Sequence, residues 1–422
     1  MKRRQFIKDV AAVAGTATLL PATGSLVSGC STPAVSDSWD FDEVLDRTGT
    51  WSIKYGRASD GQIPMWIADM DFRTAPAVSS ALRERLEKDV MGYTSTPEEL
   101  FDAIVGWEER MHGWRVEREW VEYCPGVITS INQAYLAFTN PEDKIIVQPP
   151  VYDHFRLYAE RLGRTVVDNP LLFDGQRYRM DFDGLERLLS DGAKMLVLCN
   201  PHNPCGIVWD RDTLCRLASL CRQYKVIVIS DEIHGDLTLN GRQHTPFCSV
   251  SEDAAAVGMV FTGPTKAFNL AGLSMTAYCV IPNETLRNHY LGALRAAKLN
   301  EAPIPSLVAT IAAYEKGEPW LRSLQGYLQG NIQEVADFFA GNDLGIKAIV
   351  PEASFLVWLD CCEMGLSQEE LMDFFSKEAG LVLSNGASYG QGGEGFVRMN
   401  IGCPRSVVRE ALRRIEKAHN VK

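Results

Sequence analysis

The central part of the chain alternates short apolar runs with amphipathic segments. The segments, such as residues 184–190 and 211–224, repeat apolar residues at helical spacing. The apolar runs are rich in valine, isoleucine and leucine, and we predict strands at residues 144–147, 195–198, 226–229 and 257–261. Continuous apolar strands that alternate with helices are typical of a parallel sheet covered by helices on both faces. The pattern therefore predicts an α/β fold.

The last part of the chain has a different pattern. From about residue 331 it reads as a helix, then strands near residues 348–350 and 355–359, then closing helices, which predicts a smaller α+β unit. We divide the chain into a leader, a polar tether, an N-terminal arm that also joins the smaller unit, a large unit and a C-terminal small unit. Their predicted bounds are 1–30, 31–38, 39–84, 85–330 and 331–422.

The first thirty residues have the pattern of an export signal. Four basic residues lie within the first eight positions, and a short apolar run follows them. Arg3 and Arg4 resemble the pair in a twin-arginine signal, which directs the export of folded proteins. Residues 27–30 resemble a bacterial lipobox that ends at Cys30. We expect an exported protein, periplasmic or anchored through a lipid on Cys30; the alternative is a cytoplasmic protein with a basic N-terminus.

The composition is that of a globular protein and narrows the range of functions. The chain has 422 residues, of which 46% are hydrophobic and 23% charged, so it can bury a large core. Its net charge of −12 argues against a nucleic-acid-binding protein, which needs a basic surface. The eleven cysteines show neither a Cys-x-x-Cys pair nor finger-like Cys/His spacing, so we expect no metal site.

Polar residues follow three of the predicted strands. The first cluster includes Asn203, the second Asp231 and His234, and the third Lys266. An aspartate beside a buried strand is costly unless a cation pairs with it, and a lysine beside a neighbouring strand is a candidate amine nucleophile. Each cluster alone also fits an ordinary strand-end turn. Because ligands bind at the carboxyl ends of such strands, the ordered set predicts one shared site.

The ordered set Asn203, Asp231 and Lys266 resembles the fold-type I pyridoxal-phosphate enzymes, and the resemblance extends over residues 39–422. Within this superfamily of class I and II aminotransferases, the chain is most similar to the cystathionine β-lyases of the maltose-regulon modulator type. The segments that carry this narrower resemblance are residues 64–72, 92–94, 202–204, 265–273 and 397–404. The resemblance implies a large domain with a mixed, mostly parallel seven-stranded sheet and a smaller α+β domain.

The resemblance also implies roles for the clustered residues around pyridoxal 5'-phosphate. Lys266 would bind the cofactor covalently and move the Cα proton of the substrate as general base and acid. Asp231 would hold the pyridine nitrogen protonated, and Asn203 would donate a hydrogen bond to the phenolic oxygen. Tyr152 would stack on the cofactor ring, although alone it also fits a core tyrosine. His234 would support Asp231 or the phenolic oxygen, or is simply a buried histidine.

Further residues match positions that bind the cofactor phosphate and the substrate. Val127 and Ile128 begin a helix where backbone N–H groups bind phosphate, and Thr265 precedes the lysine. Tyr93 matches a tyrosine that reaches the phosphate from a second subunit, which implies a homodimer with shared active sites. Arg398 matches the arginine that binds the α-carboxylate of an amino-acid substrate, a task suited to its fixed fork of donors.

One departure from the family pattern concerns the phosphate site. The family commonly has a serine three residues before the lysine, whereas this chain has Gly263. Either Thr262 or Thr265 would replace the missing hydroxyl.

The resemblance implies a carbon–sulfur β-lyase that cleaves cystathionine or a related cysteine S-conjugate to a thiol, pyruvate and ammonia. An aminotransferase with a keto-acid acceptor stays open, because the choice of reaction depends on substrate positioning that motifs do not report. A third hypothesis is a binding or regulatory protein that keeps the cofactor site. The presence of Lys266, Asp231, Asn203 and Arg398 argues against this third hypothesis.

Overall fold

The structure is a computed structural model that describes residues 39–273 and 276–421. The predicted leader, the tether and Cys30 lie outside these residues. Within them, the α-helices are α1 Ile53–Gly56, α2 Pro76–Glu87, α3 Glu98–His112, α4 Val127–Phe138, α5 His154–Arg161, α6 Phe182–Ser190, α7 Arg211–Tyr224, α8 Glu252–Val257, α9 Glu284–Ala296, α10 Ile304–Lys316, α11 Glu318–Gly341, α12 Gln368–Asp373 and α13 Arg405–His419.

The strands of the described residues form one large sheet, one smaller sheet and two short pairs. They are β1 Ile63–Pro64, β2 Val121–Cys124, β3 Lys144–Val147, β4 Thr165–Asp168, β5 Leu172–Phe173, β6 Tyr178–Arg179, β7 Met195–Cys199, β8 Ile227–Asp231, β9 Gly258–Thr262, β10 Ala277–Val280, β11 Lys347–Ile349, β12 Leu356–Asp360, β13 Leu381–Val382, β14 Ser384–Asn385 and β15 Phe396–Asn400.

The large sheet has seven strands in the order β2-β10-β9-β8-β7-β3-β4. Strand β10 runs antiparallel to both of its neighbours, and the other strand pairs are parallel. This arrangement confirms the predicted mixed, mostly parallel sheet. The predicted strand at residues 226–229 is shifted, because β8 continues to Asp231 and places this side chain at the end of the strand.

The central strands are apolar along their whole length because both faces of the large sheet are covered. Strands β7 and β9 are buried at every position. Leu196 and Leu198 belong to the core on one face, whereas Met195 and Val197 belong to the core on the other face. Burial of one such side chain contributes roughly 1.5–3 kcal/mol. The sheet is therefore a rigid platform for the residues at its edge.

Local signals position the helices around this sheet. Helix α7 begins where the Asp210 carboxylate accepts the N–H of Thr213 at 2.7 Å, which satisfies one of the free donors of the first turn. The helix ends at Lys225, whose φ of 57° lies in the left-handed region that stops a helix. In the described part of the chain, no helix combines the length and apolar character required to cross a membrane.

The smaller sheet is antiparallel, has the order β11-β12-β15-β14, and lies in the C-terminal part of the chain. The N-terminal arm joins this part through β1, which pairs in parallel with β13. Helix α11 runs from residue 318 to residue 341 and so connects the predicted large and small units. The bounds of these units stay predictions.

Candidate active site

The carboxyl ends of four strands meet at one edge of the large sheet. Cys199 at the end of β7 pairs with Asp231 at the end of β8, and Asp231 pairs with Phe261 near the end of β9. On the other side of β9, strand β10 bridges to β2, whose last residue Cys124 precedes helix α4. The structure therefore brings the predicted clusters of Asn203, Asp231 and Lys266 to the same edge as the start of α4.

Lys266 lies in the turn after β9, and its amine is held in place. The Nζ atom donates a hydrogen bond to the carbonyl oxygen of Ala68 at 2.8 Å. Burial lowers the pKa of Lys266 to about 8, and the nearby charge of Arg398 lowers it further, against the opposing effects of Asp69 and Asp231. More of this amine is therefore neutral at neutral pH than in an ordinary lysine.

Asp231 is a buried carboxylate at the end of β8. One of its oxygens accepts the backbone N–H of Ile233 at 3.1 Å. Burial raises the pKa of Asp231 to about 7, although the hydrogen bond from Ile233 and the charge of Lys266 act in the opposite direction. A carboxyl group with a pKa raised by burial gains strongly from a cation placed beside it.

Arg398 and Asn203 form a fixed polar pair. Arg398 is buried on β15, where its Nη1 donates to Oδ1 of Asn203 at 2.8 Å and its Nη2 donates to the carbonyl of Trp66 at 2.8 Å. Its guanidinium also lies 5.2 Å from the ring centre of Tyr389. Because Arg398 holds Oδ1 of Asn203, the amide NH₂ of Asn203 is the group left to donate to a ligand. The Nε atom of Arg398 has no hydrogen-bond partner among the described residues.

His234 and Tyr152 lie beside these groups. Burial, with the charges of Lys266 and Arg398, holds the pKa of His234 well below its ordinary value, so the imidazole is neutral. Within the described chain its buried Nδ1 atom has no hydrogen-bond partner. The ring of Tyr152 stacks on that of His154, with 4.7 Å between their centres, and its backbone N–H donates to the carbonyl of Asn203. Burial raises the pKa of Tyr152 above its ordinary value.

The start of helix α4 offers free backbone donors. Its N-cap residue, Gly126, has φ 97°, and no side chain caps the helix. A Cβ atom at Gly126 would meet nothing within 4 Å, so there is open space beside this residue. The N–H groups of Val127 and Ile128 belong to the first turn, where they have no partner within the helix. Such a terminus is a site for an anion.

Gly263 departs from the family serine for a steric reason. A Cβ atom at this position would overlap the carbonyl oxygen of Thr276 and lie 2.9 Å from Cα of Ala277. Of the two hydroxyls that we considered as replacements, that of Thr262 already donates to the carbonyl of Glu232. The hydroxyl of Thr265 pairs with that of Thr276 at 2.7 Å. Only one hydrogen lies between two paired hydroxyls, so the other hydroxyl of this pair can still donate to a phosphate. Thr265 is therefore the better candidate to replace the serine.

Tyr93 is not brought together with the other predicted site residues. It is fully exposed, and it is not among the side chains that contact Lys266, Asp231 or Asn203 in the described chain. The predicted contribution of Tyr93 to a second subunit therefore stays a prediction.

Residues 66–71, which we call the strap, border the site, although no role in the site was predicted for them. Their backbone carbonyls accept hydrogen bonds from side chains of both units. The carbonyl–donor pairs are Trp66 with Arg398 and Ser384, Ile67 with Asn400, Ala68 with Lys266, Asp69 with Asn400 and Lys54, and Met70 with Asn269. The strap therefore links the lysine of the large sheet to the arginine of the smaller sheet.

A buried ion pair anchors the strap. Nζ of Lys54 lies 2.8 Å from Oδ2 of Asp71, and Arg47 contacts the other oxygen of this carboxylate at 2.8 Å. Burial alone would lower the pKa of Lys54, but the carboxylates of Asp71 and Asp69 outweigh it and the pKa is raised. The amine therefore stays charged and holds the strap. The sequence does contain a sign of this anchor, because Asp69 and Asp71 are two acidic residues within an otherwise apolar segment.

Comparison with known proteins identifies the family. The model of the family "Aminotransferase class I and II" matches residues 61–415. The chain belongs to this family. It is 41% identical to cystathionine beta-lyase PatB of Bacillus subtilis, over 90% of this chain and 99% of that protein. It is 33% identical to Protein MalY of Escherichia coli, over 89% of this chain and 97% of that protein.

A solved structure agrees with this assignment. Cystalysin from Treponema denticola, which contains a pyridoxal 5'-phosphate cofactor, superposes with a TM-score of 0.88 at 30% identity. The match covers 91% of this chain and 100% of that chain. These comparisons confirm the predicted fold. They also confirm the predicted similarity to the cystathionine β-lyases of the maltose-regulon modulator type, the group that contains PatB and MalY.

Proposed function

We propose that the protein is a pyridoxal-phosphate-dependent carbon–sulfur β-lyase. It cleaves cystathionine or a related cysteine S-conjugate to a thiol, pyruvate and ammonia. The observation that carries this proposal is the arrangement of Lys266, Asp231 and Arg398 at one site, in a chain 41% identical to a cystathionine beta-lyase over nearly its whole length.

The residues present fit pyridoxal 5'-phosphate part by part. The uncapped start of α4 suits the phosphate, and the neutral fraction of the Lys266 amine suits the aldehyde. Asp231 suits the protonated pyridine nitrogen, because its raised pKa falls when a cation pairs with it. The amide NH₂ of Asn203 and the neutral imidazole of His234 suit the phenolic oxygen. The bound cofactor supplies an electron sink for negative charge at the substrate Cα.

The chain's own residues divide the work of β-elimination. Arg398 binds the substrate α-carboxylate and fixes the amino acid, since its guanidinium is already held by Asn203 and Trp66. Lys266 removes the Cα proton as general base, and the thiolate then leaves from Cβ. The carbonyl of Ala68 accepts a hydrogen bond from the Lys266 amine and so holds this base in place.

The lowered pKa of Lys266 gives a prediction for cofactor uptake by the cofactor-free protein. Only the neutral amine attacks an aldehyde, so the uptake rate should rise about tenfold per pH unit and level off above about pH 8. An ordinary lysine would level off near its usual pKa of 10.5 instead. The measurement is stopped-flow absorbance of added pyridoxal 5'-phosphate against pH.

A variant checks the origin of this shift. The charge of Arg398 lowers the pKa of Lys266, so Arg398→Gln should move the midpoint of uptake to higher pH. A midpoint near 10.5 in the unchanged protein would contradict the assigned role of burial.

The test of the proposed function is an assay without a keto acid. Residues 32–422 loaded with pyridoxal 5'-phosphate should release pyruvate, ammonia and thiol from cystathionine in equal and continuing amounts. A β-elimination needs no acceptor, whereas a transaminase stops after one turnover because its cofactor keeps the amino group. The three products are measured together over many turnovers.

The aminotransferase hypothesis predicts a different outcome of this assay. It requires that turnover begins only when a keto acid is added, which would overturn the β-lyase proposal. Aspartate aminotransferase of Pyrococcus horikoshii is 23% identical to this chain, but a PLP-bound putative aminotransferase from Clostridium difficile is 37% identical, so this assay, and not similarity alone, decides between the two reactions. No turnover in either condition, with a normal cofactor spectrum, would favour the binding-only hypothesis.

We infer that the active protein is a homodimer in which Tyr93 completes the phosphate site of the second subunit. Support comes from the full exposure of Tyr93 and from the exposed apolar side chains of Val90 and Met91 just before it. Light scattering gives the oligomeric state. Mixing a Tyr93→Phe subunit with a Lys266→Ala subunit then tests whether active sites are shared.

We infer that residues 1–30 direct export of the folded, cofactor-loaded enzyme and that Cys30 carries a lipid anchor. The paired Arg3 and Arg4 and the small residues before Cys30 support this inference. All ten cysteines after Cys30 are free thiols, and most are buried, which suits a chain that folds before export. Fractionation of cells that express the full chain, against an Arg3→Lys/Arg4→Lys variant, tests this localisation.

A further inference from the structure

The turn formed by residues 231–236 carries four buried ionisable side chains within six positions. Asp231 and His234 belong to the candidate cofactor site. The other two, Glu232 and Asp236, form hydrogen-bonded pairs with His244 and His112, which have no place in the proposed reaction. Burial of two additional carboxylates is costly, so their contacts call for an explanation.

The carboxylate of Glu232 is surrounded by donors. Its Oε1 accepts hydrogen bonds from the Ser230 hydroxyl at 2.7 Å and from the backbone N–H of Phe247 at 2.8 Å. Its Oε2 lies 2.7 Å from Nε2 of His244. Three contacts therefore fix the side chain of Glu232, which directly follows Asp231 in the chain.

Asp236 repeats this arrangement at the other end of the turn. Its Oδ1 lies 2.9 Å from Nε2 of His112 and accepts the indole N–H of Trp107 at 3.0 Å. His112 and Trp107 both belong to helix α3. The rings of His112 and His244 meet edge to face with 5.1 Å between their centres. The two imidazole–carboxylate pairs therefore form one buried cluster, which we call the histidine clamp.

The histidine clamp packs directly on the backbone of the turn. A Cβ atom at Gly235 would lie only 2.9 Å from Cδ2 of His244, so the ring touches the main chain where a larger residue would not fit. The carbonyl of Glu232 is fixed as well, because it accepts the Thr262 hydroxyl at 3.1 Å and the N–H of Gly235 at 2.8 Å. A shift of the His244 ring therefore moves the turn that carries Asp231 and His234.

We propose that His244 and His112 are positioning residues of the cofactor site, and that the histidine clamp holds the 231–236 turn so that Asp231 is aligned with the pyridine nitrogen. A site of this kind needs its groups held to within about 0.5 Å by supporting contacts. The inference rests on the proposed pyridoxal 5'-phosphate site, but it does not depend on which reaction the enzyme performs.

The test compares His244→Phe with His244→Gln in the cofactor-loaded protein. Phenylalanine keeps a ring but removes the donor to Glu232, whereas glutamine restores an N–H donor near the position of Nε2. We expect His244→Phe to weaken pyridoxal 5'-phosphate affinity by about tenfold or more and to shift the visible absorption of the bound cofactor. We expect His244→Gln to recover most of the affinity and the original spectrum.

A matched control separates positioning from general loss of stability. Thr139→Val leaves the buried Nε–H of Arg164 without its acceptor, which is a comparable loss of a buried hydrogen bond at the end of α4 opposite to the predicted phosphate site. It should lower the melting temperature to a similar extent and leave the cofactor affinity and spectrum unchanged. Glu232→Gln provides a second disruption of the clamp and should behave like His244→Phe.

Two outcomes would overturn the inference. One is a His244→Phe or Glu232→Gln protein that unfolds more easily but binds the cofactor with the affinity and spectrum of the unchanged protein. The other is an equal loss of cofactor affinity in Thr139→Val. Kinetics provide a further check, since kcat should fall more than KM changes while Arg398 still binds the substrate. Cofactor binding by the unchanged protein tests the proposed function separately, and only the ratio of variant to unchanged affinity tests the clamp.

Discussion

Replacing Lys266 with alanine should reduce the release of pyruvate from cystathionine by at least about 10³-fold. The change removes the amine that binds the cofactor and the base that takes the Cα proton, and loss of a general base alone costs roughly 10²–10⁴-fold. The fold should survive, because among the described residues the Lys266 side chain makes one hydrogen bond, to the carbonyl of Ala68. Product release is measured over hours at saturating cofactor, with circular dichroism as the check on folding.

Two further measurements show that the loss comes from the missing base. An added primary amine should restore part of the activity of Lys266→Ala, and more so as the basicity of the amine increases. The control is Lys377→Ala, which changes an exposed lysine that pairs with Asp373 on the surface. It should have no effect on turnover, since such surface pairs contribute little to stability. A Lys266→Ala protein that keeps more than a tenth of the activity would contradict the proposed mechanism.

The order of elements and the location of the site could be predicted from the sequence because both depend on local patterns. Continuous apolar runs predict strands covered on both faces, and β7 and β9 are buried at every position. Parallel strands place their carboxyl ends at one edge, so Asn203, Asp231 and Lys266 had to meet there. The end of β8 was misplaced, since Ser230 and Asp231 are polar and look like a turn.

The parts of the site that could not be predicted depend on backbone atoms and on distant contacts. The strap acts through its carbonyl groups, which every residue has, so the sequence of residues 66–71 does not reveal that Ala68 holds Lys266. The pair of Glu232 and His244 joins residues twelve positions apart through a loop without regular pattern. The overlap that excludes a side chain at Gly263 appears only when β9 and β10 are placed side by side.

Replacing Asp231 with asparagine should separate stability from activity. Asparagine keeps the shape and the acceptor for the N–H of Ile233 but cannot pair as an anion with a protonated pyridine nitrogen. Loss of one partner of a buried ion pair costs about 3–5 kcal/mol, which corresponds to roughly 10²–10⁴-fold in turnover when the whole loss falls on the transition state. The measurement is pyruvate release at saturating cofactor and substrate.

Without cofactor, Asp231→Asn should increase the free energy of unfolding, although the same change lowers turnover. The folded pKa of Asp231 is raised from 3.8 to about 7, so an unfolded chain loses this proton at lower pH than the folded chain does. Burial of the carboxylate therefore reduces the free energy of unfolding progressively as the pH rises from about 4 to 7. Asp231→Asn lacks this penalty, so without cofactor it should be more stable than the unchanged protein at pH 8 and similar to it near pH 4.

A control variant, measured at the same two pH values, shows whether the effect is specific to the cofactor site. Asp210→Asn carries the same chemical change at the N-cap of α7 and should leave activity unchanged. The hydrogen bond from Thr213 lowers the pKa of Asp210, so loss of this charge should reduce stability at pH 8 more than near pH 4, which is the opposite of the change expected at Asp231. If Asp231→Asn instead loses stability at pH 8 together with activity, the carboxylate serves the fold. Gain of stability with loss of turnover would mean that the chain keeps a costly buried charge because the cofactor needs it.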